Sequence, residues 1–173
     1  MKKNENVIYD KNTIEFVAVA VSFCALLESQ EPVSKEVLVD RCQKILPLLY
    51  LKAMMLPKVE LLSEDELESL VAEEEYESLR QRIAAILGEQ DDYLEVFHPD
   101  MPYSDTPVLA TLSEDLADIY QDIKNFVCIF RLGNPETMND ALYLCKENFN
   151  EFWGQRLTNA MRAFHAIMKT YEW

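Results

Sequence analysis

Apolar residues recur every three or four positions along most of the chain, which is the spacing of helices that bury one face. The clearest example is the stretch 112–132, whose apolar positions are Leu116, Ile119, Ile123, Phe126, Val127 and Phe130. Ser113, followed by two acidic residues, is expected to cap this helix, and Gly133 is expected to end it. We predict that the fold is organised around this helix.

The same pattern predicts two helices earlier in the chain. Residues 13–28 are apolar on most sides, so this helix is expected to lie centrally, with neighbours on several faces. Ser34 is expected to cap a second helix over 34–55. Pro47 lies inside that second pattern and lacks a backbone donor, which predicts a kink or a break near it.

The region that follows contains one strong helical pattern and one weaker one. Acidic residues lead into a helix over 73–87, which Gly88 is expected to end. The run that begins at Ser63 has capping-box spacing and predicts a short helix over 64–70.

Residues 91–97 predict one or two further helical turns. After them, residues 98–111 contain three prolines and predict an ordered, extended loop. Large apolar side chains in this region favour a loop that wraps over the core, and they are Tyr93, Phe97, Met101 and Tyr103. Strand-type alternation is nearly absent from the chain.

The last helix is expected to begin at Asn134 and Pro135 and to continue to about residue 171. Its apolar stripe turns by roughly 80° near Gly154, counted at about 100° per residue. Two alternatives follow: the helix bends at Gly154, or its two halves face different neighbours.

These elements predict an all-α fold, a single-domain bundle of five to seven helices with a Pro-rich loop around 98–111. A chain of 173 residues that is 49% hydrophobic can form one substantial core, and only 3 Gly agree with helices. The core is expected over about 13–170, with a flexible N-terminus over 1–10.

The charge is concentrated in one segment. The chain has a net charge of −15, of which residues 60–105 contribute 15 acidic and 2 basic side chains. Residues 1–59 have 8 basic and 7 acidic side chains. Nucleic acids and anionic membranes need clustered Lys and Arg, so neither is expected as a partner. A basic protein partner or a divalent cation is permitted, and a solvated acidic face is the simplest interpretation.

The four cysteines favour a reducing compartment. Cys24, Cys42, Cys128 and Cys145 lie far apart within or beside apolar stripes, and none forms a C-x-x-C pair. Free thiols, no signal peptide and no apolar run of the roughly 20 residues that span a bilayer predict a cytoplasmic protein.

Three carboxylates form the one arrangement that resembles a site. Asp115, Asp118 and Asp122 lie beside the apolar face of the central helix. They are expected either to bind a cation or, as the simpler interpretation, to pair with Arg156 and Arg162 of the last helix. On the second interpretation, Arg162→Glu should destabilise the fold.

The two histidines and a polar stripe are weaker candidates. His98, in the acidic loop, is expected to form a packing or hydrogen-bonding contact, with a metal site as the alternative. His165 is expected at the boundary of the apolar face of the last helix. The polar stripe on that helix, expected to face solvent, consists of Gln155, Asn159, Arg162 and Lys169.

Three blocks of sequence carry a resemblance to a known family, namely residues 45–52 (ILPLLYLK), 113–122 (SEDLADIYQD) and 152–157 (FWGQRL). Together they resemble a bacterial all-helical family that is defined as a domain of unknown function, DUF5063. The resemblance implies a helical single domain and brings no activity, cofactor or catalytic residue with it.

A weaker likeness concerns the acidic residues. The all-helical nucleoside triphosphate pyrophosphatases of the MazG type bind Mg²⁺ with E-E-x-x-E on one helix and E-x-x-D on the next. Glu73, Glu74 and Glu77 resemble the first motif, and Asp115 and Asp118 resemble the second, with Asp in place of its first Glu. The resemblance implies Mg²⁺-assisted phosphate chemistry.

The sequence therefore favours a non-catalytic interaction or scaffold module in the bacterial cytoplasm, which presents an acidic surface to a protein partner and needs no cofactor. The alternative is a Mg²⁺-dependent enzyme of the pyrophosphatase type. The sequence leaves the partner and the oligomeric state open.

Overall fold

The computed structural model describes residues 7–63, 66–95, 97 and 99–171, and it confirms a predominantly helical bundle. Its helices in chain order are α1 (Lys11–Glu28), α2 (Lys35–Met54), α3 (Glu73–Leu87), α4 (Leu112–Arg131), α5 (Pro135–Asn148) and α6 (Gly154–Met168). Two short strands, β1 (Asp92–Glu95) and β2 (Val108–Thr111), lie between α3 and α4.

Helix α4 lies at the centre of the fold, as its pattern predicts. It packs against α1, α3, α5 and α6, and its apolar face is buried. Aromatic rings link it to the neighbouring helices, with the ring centroids of Phe16 and Phe126 5.4 Å apart. Helix α1, in contrast, packs mainly against α2 and α4, so the expectation of neighbours on several of its faces is wrong.

The start of α4 differs from the sequence expectation in one residue. Thr111, not Ser113, is the N-cap, and its side chain accepts a hydrogen bond from the Glu114 backbone N–H. Ser113 instead lies buried in the first turn, where its backbone N–H and hydroxyl both donate to the Asp91 carboxylate. Thr111 can act as the cap because it is the last residue of β2 and has an extended conformation directly before the helix.

Helix α2 continues through Pro47 without a break. Ser34 caps it as predicted, accepting from the Val37 backbone N–H. Buried side chains on both sides of the proline, including Cys42 and Leu49, hold the helix in register. Their packing outweighs the one backbone hydrogen bond that proline removes.

The last helix consists of two α-helices joined by a π-helical segment, Phe149–Trp153. The second alternative is therefore correct, because α5 packs on α4 whereas α6 packs on both α2 and α4. Gly154 follows the π segment in ordinary helical conformation, with φ −64°. A Cβ atom there would lie 2.4 Å from the Phe149 carbonyl oxygen, so only glycine fits.

Strands β1 and β2 form a β-hairpin in a region where helical turns and a loop were expected. β1 and β2 pair antiparallel, with Leu94 opposite Leu109, and a 3₁₀ turn precedes β1. The local pattern is misleading because the hairpin is fixed by polar contacts to distant helices. Wrapping over the core is wrong for Phe97 and Tyr103, which are 75% and 92% exposed.

The predicted helix over 64–70 is not found in its described part, residues 66–70, and Glu64 and Asp65 lie outside the described residues. Residues 56–63 and 66–72, the described part of this connection, lack regular secondary structure. Side-chain oxygens hold it in place: Asp140 accepts from the backbone N–H groups of Leu62 and Ser63. Asn125 does the same for Leu70 and Val71.

Part of the N-terminus that was expected to be flexible lies outside the described residues, namely 1–6. The remainder packs on the body, because Ile8 is buried and the Thr13 hydroxyl donates to the Val7 carbonyl. None of the described helices combines the length and the apolar character that crossing a bilayer requires.

The π segment yields a stability prediction. Gly154→Ala should lower the free energy of unfolding by about 1–3 kcal/mol, because the added methyl group collides with the Phe149 carbonyl and ring. Urea denaturation measures the change. The control Thr158→Ala, an exposed position one turn later, should stay within about 0.5 kcal/mol of wild type. An equal loss in both variants would contradict the steric explanation.

Candidate functional site

The three aspartates of α4 lie close together along the helix but contact three different neighbours. Asp115 is completely buried and accepts a hydrogen bond from the phenol of Tyr93 in β1. Asp118 accepts from the phenol of Tyr76 in α3 at 2.8 Å. Asp122 accepts from the side-chain amide of Asn148 in α5 at 2.7 Å. The row therefore ties α4 to three surrounding elements.

Arg156 of α6 serves the first two carboxylates together. Its Nη1 lies 3.4 Å from Asp115 Oδ1, and its Nε lies 3.5 Å from Asp118 Oδ2. The guanidinium also lies over the Phe152 ring, with 5.3 Å to the centroid. One partly buried cation thus bridges two carboxylates, and the pairing expected for Arg156 is present.

Arg162 does not share this role. It is exposed and forms no ion pair within the described part of the chain. At six positions beyond Arg156 it points about 240° away around α6, toward a small cavity beside the hairpin. The expected pairing of Arg162 with the aspartates is therefore not found. His165 is also exposed, outside the apolar face.

Burial controls the protonation of this cluster. Desolvation raises the pKa of the Asp115 carboxyl to about 7, although the Tyr93 hydrogen bond and Arg156 act in the opposite direction. Burial also raises the pKa of the Asp118 and Asp122 carboxyls. The Tyr93 phenol has a raised pKa, because it is buried and faces the Asp115 carboxylate. It therefore remains a hydrogen-bond donor at neutral pH.

The residues of the Mg²⁺ hypothesis are not brought together. Glu73 and Glu74 are exposed on the first turn of α3, and Glu77 pairs with Arg80 of its own helix at 2.8 Å. Helix α3 presents Tyr76, not a glutamate, to Asp118. The described residues include no group of three or more His, Cys, Asp or Glu that could hold a metal ion. His98 lies outside the described residues.

The hairpin is anchored by every second residue of its first strand and the turn before it. Asp91 accepts from Ser113, Tyr93 donates to Asp115, and Glu95 accepts from the side-chain amide of Asn159 at 3.1 Å. Asn159 is only 8% exposed, so the expectation that it faces solvent is wrong. The sequence carries no local signal for these contacts, because the partners are distant in the chain.

The sequence did not predict a second polar cluster, which forms around Tyr120. The phenol of Tyr120 lies within hydrogen-bonding distance of two carboxylates, Glu28 of α1 and Glu75 of α3. Lys124 forms an ion pair with the same Glu28. Tyr120 appears in the sequence as one more apolar-face residue, and nothing near it in the chain indicates its partners.

The outer face of the hairpin has the opposite character. Leu94 and Leu109, directly paired across the strands, are both exposed. Phe97 and Tyr103, in the connection between the strands, are also exposed. We call these four residues the hairpin patch.

The bridging role of Arg156 can be tested by removing its charge. Arg156→Met should lower the free energy of unfolding by at least about 2 kcal/mol at pH 8, because Asp115 stays buried without its cation. Arg162→Met is the matched control on the same helix and should unfold like wild type, as should Arg162→Glu. Chemical denaturation of the three variants decides the point, and equal losses at both positions would contradict the assignment.

The pKa of Asp115 predicts how stability depends on pH. Between about pH 4 and about pH 7 the folded protein retains a proton that the unfolded chain has released. The contribution of Asp115 to the free energy of unfolding therefore falls as the pH rises through this range, with a limiting slope of about 1.4 kcal/mol per pH unit.

Asp115→Asn should remove that slope, since the amide oxygen still accepts from Tyr93 and no charge is buried. Asp105→Asn, at an exposed position of the hairpin connection, should leave the slope unchanged. Unfolding free energies measured at several pH values for the two variants test this, and a slope that persists in Asp115→Asn would contradict it.

Comparison with known proteins identifies the family and agrees with the fold. The model of a family described as a domain of unknown function (DUF5063) matches residues 7–170. The crystal structure of protein BF1032 from Bacteroides fragilis is 53% identical in sequence, with a TM-score of 0.84 over 93% of this chain and 94% of that chain. No curated protein matches the chain. The resemblance carried by three sequence blocks is confirmed, and the chain belongs to the DUF5063 family.

Proposed function

We propose that this protein is a non-catalytic interaction module that binds a basic, partly apolar segment of a protein partner through the hairpin patch and the acidic surface around it. The observation that carries the proposal is the exposure of four large apolar side chains on an otherwise acidic element. Leu94 and Leu109 are adjacent across the strands, and exposed apolar side chains grouped among polar ones are typical of a protein-binding site.

The composition of the patch favours a protein over a small molecule. Phe97 and Tyr103 are aromatic residues of the kind that contribute most to protein interfaces. Both side chains are largely exposed to solvent, whereas sites for small molecules are concave and bury most of the ligand. An exposed aromatic side chain suits insertion between side chains of a partner.

The negative charge of the hairpin favours a partner of positive charge. On the hairpin and the turn before it, the exposed carboxylates that form no ion pair within the described part of the chain are Glu89, Asp92 and Asp105. Their field extends over several ångströms in physiological salt and accelerates the approach of a cationic partner. A basic partner is therefore favoured over a neutral or acidic one.

The anchors of the hairpin support a binding role. Asp91, Tyr93 and Glu95 fix the inner side of β1 to α4 and α6, so the outer side is presented in a set position. A surface that is ordered before binding loses less conformational entropy when the partner arrives. We also propose a cytoplasmic location, supported by four free cysteines of which Cys24, Cys42 and Cys145 are buried.

The proposal is tested with synthetic peptides that combine Lys or Arg with Leu or an aromatic residue. Fluorescence anisotropy should detect binding that weakens as salt increases, and peptides with Asp or Glu in place of the cations should not bind. The double variant Phe97→Ser, Tyr103→Ser should weaken binding at least about tenfold.

Leu132→Ser provides the matched control, because Leu132 is as exposed as Phe97 but lies at the end of α4. It should leave binding unchanged. Equal binding of cationic and anionic peptides, or equal losses in the double variant and the control, would overturn the proposal.

A further inference from the structure

Helix α1 is more apolar than its position in this fold requires. Residues 16–27 include no charged side chain, yet α1 packs mainly against α2 and α4. Its remaining side is exposed and consists of Ile14, Ala18, Ser22 and Ala25. A helix that is apolar all round is normally covered on every side, so this face lacks a neighbour.

The adjoining face of α2 is also apolar and exposed. Val37, Leu48, Leu51 and Met55 are all exposed and recur at helical spacing along one side. Between the two helices runs an open groove of about 550 Å³. Its lining residues are Ser22, Ala25, Leu26, Ser29, Arg41, Lys44, Ile45 and Leu48. We call this groove and the apolar stripe beside it the α1–α2 face.

We infer that a second copy of this chain covers the α1–α2 face, forming a two-fold symmetric dimer. The face has a ridge, Leu48 and Leu51, directly beside its groove. A two-fold rotation places the ridge of each copy in the groove of the other, so the surface is complementary to itself. With α2 antiparallel to its mate, Leu48 and Leu51 of each copy pack on Ile45 and on the aliphatic part of Lys44 of the other.

The distribution of charge favours the α1–α2 face as the contact between two copies. Two chains of net charge −15 repel one another over most of their surfaces. Residues 1–59, which supply α1 and α2, are instead close to neutral, with 8 basic and 7 acidic side chains. The groove lining includes two cations, Arg41 and Lys44, and no carboxylate, so the acidic segments of the two copies do not meet there. The α1–α2 face is therefore the side on which two copies can approach.

The size of the face is sufficient for a reversible dimer. Two helices about 30 Å long and about 10 Å apart present a surface of roughly 600 Å² per copy. The total, about 1,200 Å², lies at the lower end of the range for specific interfaces. A dimer that dissociates on dilution follows from this area.

Dimerisation has a consequence for partner binding that rests on the proposed function. Each dimer presents two hairpin patches, so a partner with two basic segments, or a partner that is itself repetitive, binds both at once. The second contact is then intramolecular and strengthens the complex without any new contact. The dimer itself does not depend on that function.

Sedimentation equilibrium of the full chain tests the inference. At high chain concentration the mass should approach twice 20.1 kDa. Added salt should strengthen the dimer, because it screens the repulsion between two acidic chains. Salt has the opposite effect on a complex with a basic peptide, so the two proposals can fail independently.

Variants locate the interface. Leu48→Glu and Ala25→Glu, both at exposed positions, should give monomers with wild-type helical content by circular dichroism. Leu132→Glu, exposed at the end of α4, is the control and should remain dimeric. Leu48→Cys should form a cross-linked dimer on mild oxidation, whereas Leu132→Cys should not.

Three outcomes would overturn the inference. They are a wild-type chain that stays monomeric at every concentration, a Leu48→Glu chain that dimerises like wild type, and cross-linking of Leu132→Cys as readily as of Leu48→Cys. If the wild-type chain is monomeric and still binds basic peptides, the dimer is excluded and the proposed function stands.

Discussion

A carboxylate that is fully buried among apolar helices needs a cation and hydrogen-bond donors, and in this fold Asp115 imposes that requirement. Its donor, Tyr93, comes from the hairpin, and its cation, Arg156, comes from the last helix. Asp118 takes a second contact from Arg156 and one from Tyr76 of α3. Four elements that are distant in sequence must therefore be in place together, which makes the cluster a determinant of how they are arranged.

The π segment is the backbone feature that allows the last helix to meet this requirement. It joins two helices that face different neighbours, so α5 can present Asn148 to Asp122 while α6 presents Arg156 to Asp115 and Asp118. A glycine must follow because the Phe149 carbonyl occupies the space of a side chain. The energetic cost of the irregular turn is offset by burial of Trp153, whose indole N–H donates to the Cys145 carbonyl at 3.0 Å.

Features encoded by neighbouring residues were predictable from the sequence, and features encoded by distant ones were not. Helix α3 begins and ends where its glutamates and Gly88 indicate, and Ser34 caps α2. The hairpin was missed because its anchors are supplied by α4 and α6. For the same reason Thr111, and not Ser113, caps α4, because the Ser113 hydroxyl donates to the Asp91 carboxylate.

The candidate site shows the same division. Sequence spacing placed Asp115 and Asp118 beside the apolar face of α4, because helical periodicity fixes which residues share a side. It did not predict that Asp115 is completely buried, since its cover comes from the hairpin and α6. It could not distinguish Arg156 from Arg162, since both flank the apolar stripe of the last helix. The choice depends on the rotation of α6 about its axis, which the π segment sets and which no local pattern reveals.

The separation of charge along the chain then gives the two ends of the molecule different physical roles. Many of the acidic residues lie on α3 and the hairpin and are exposed to solvent, whereas the segment that forms α1 and α2 has almost no net charge. If the acidity only maintained solubility, it would serve best when spread over the whole surface, including the exposed face of α1. Its absence from the α1–α2 face therefore argues that this face is covered. A dimer joined through the α1–α2 face leaves the acidic segment of each chain outside the groove, where electrostatic attraction can act on a basic partner.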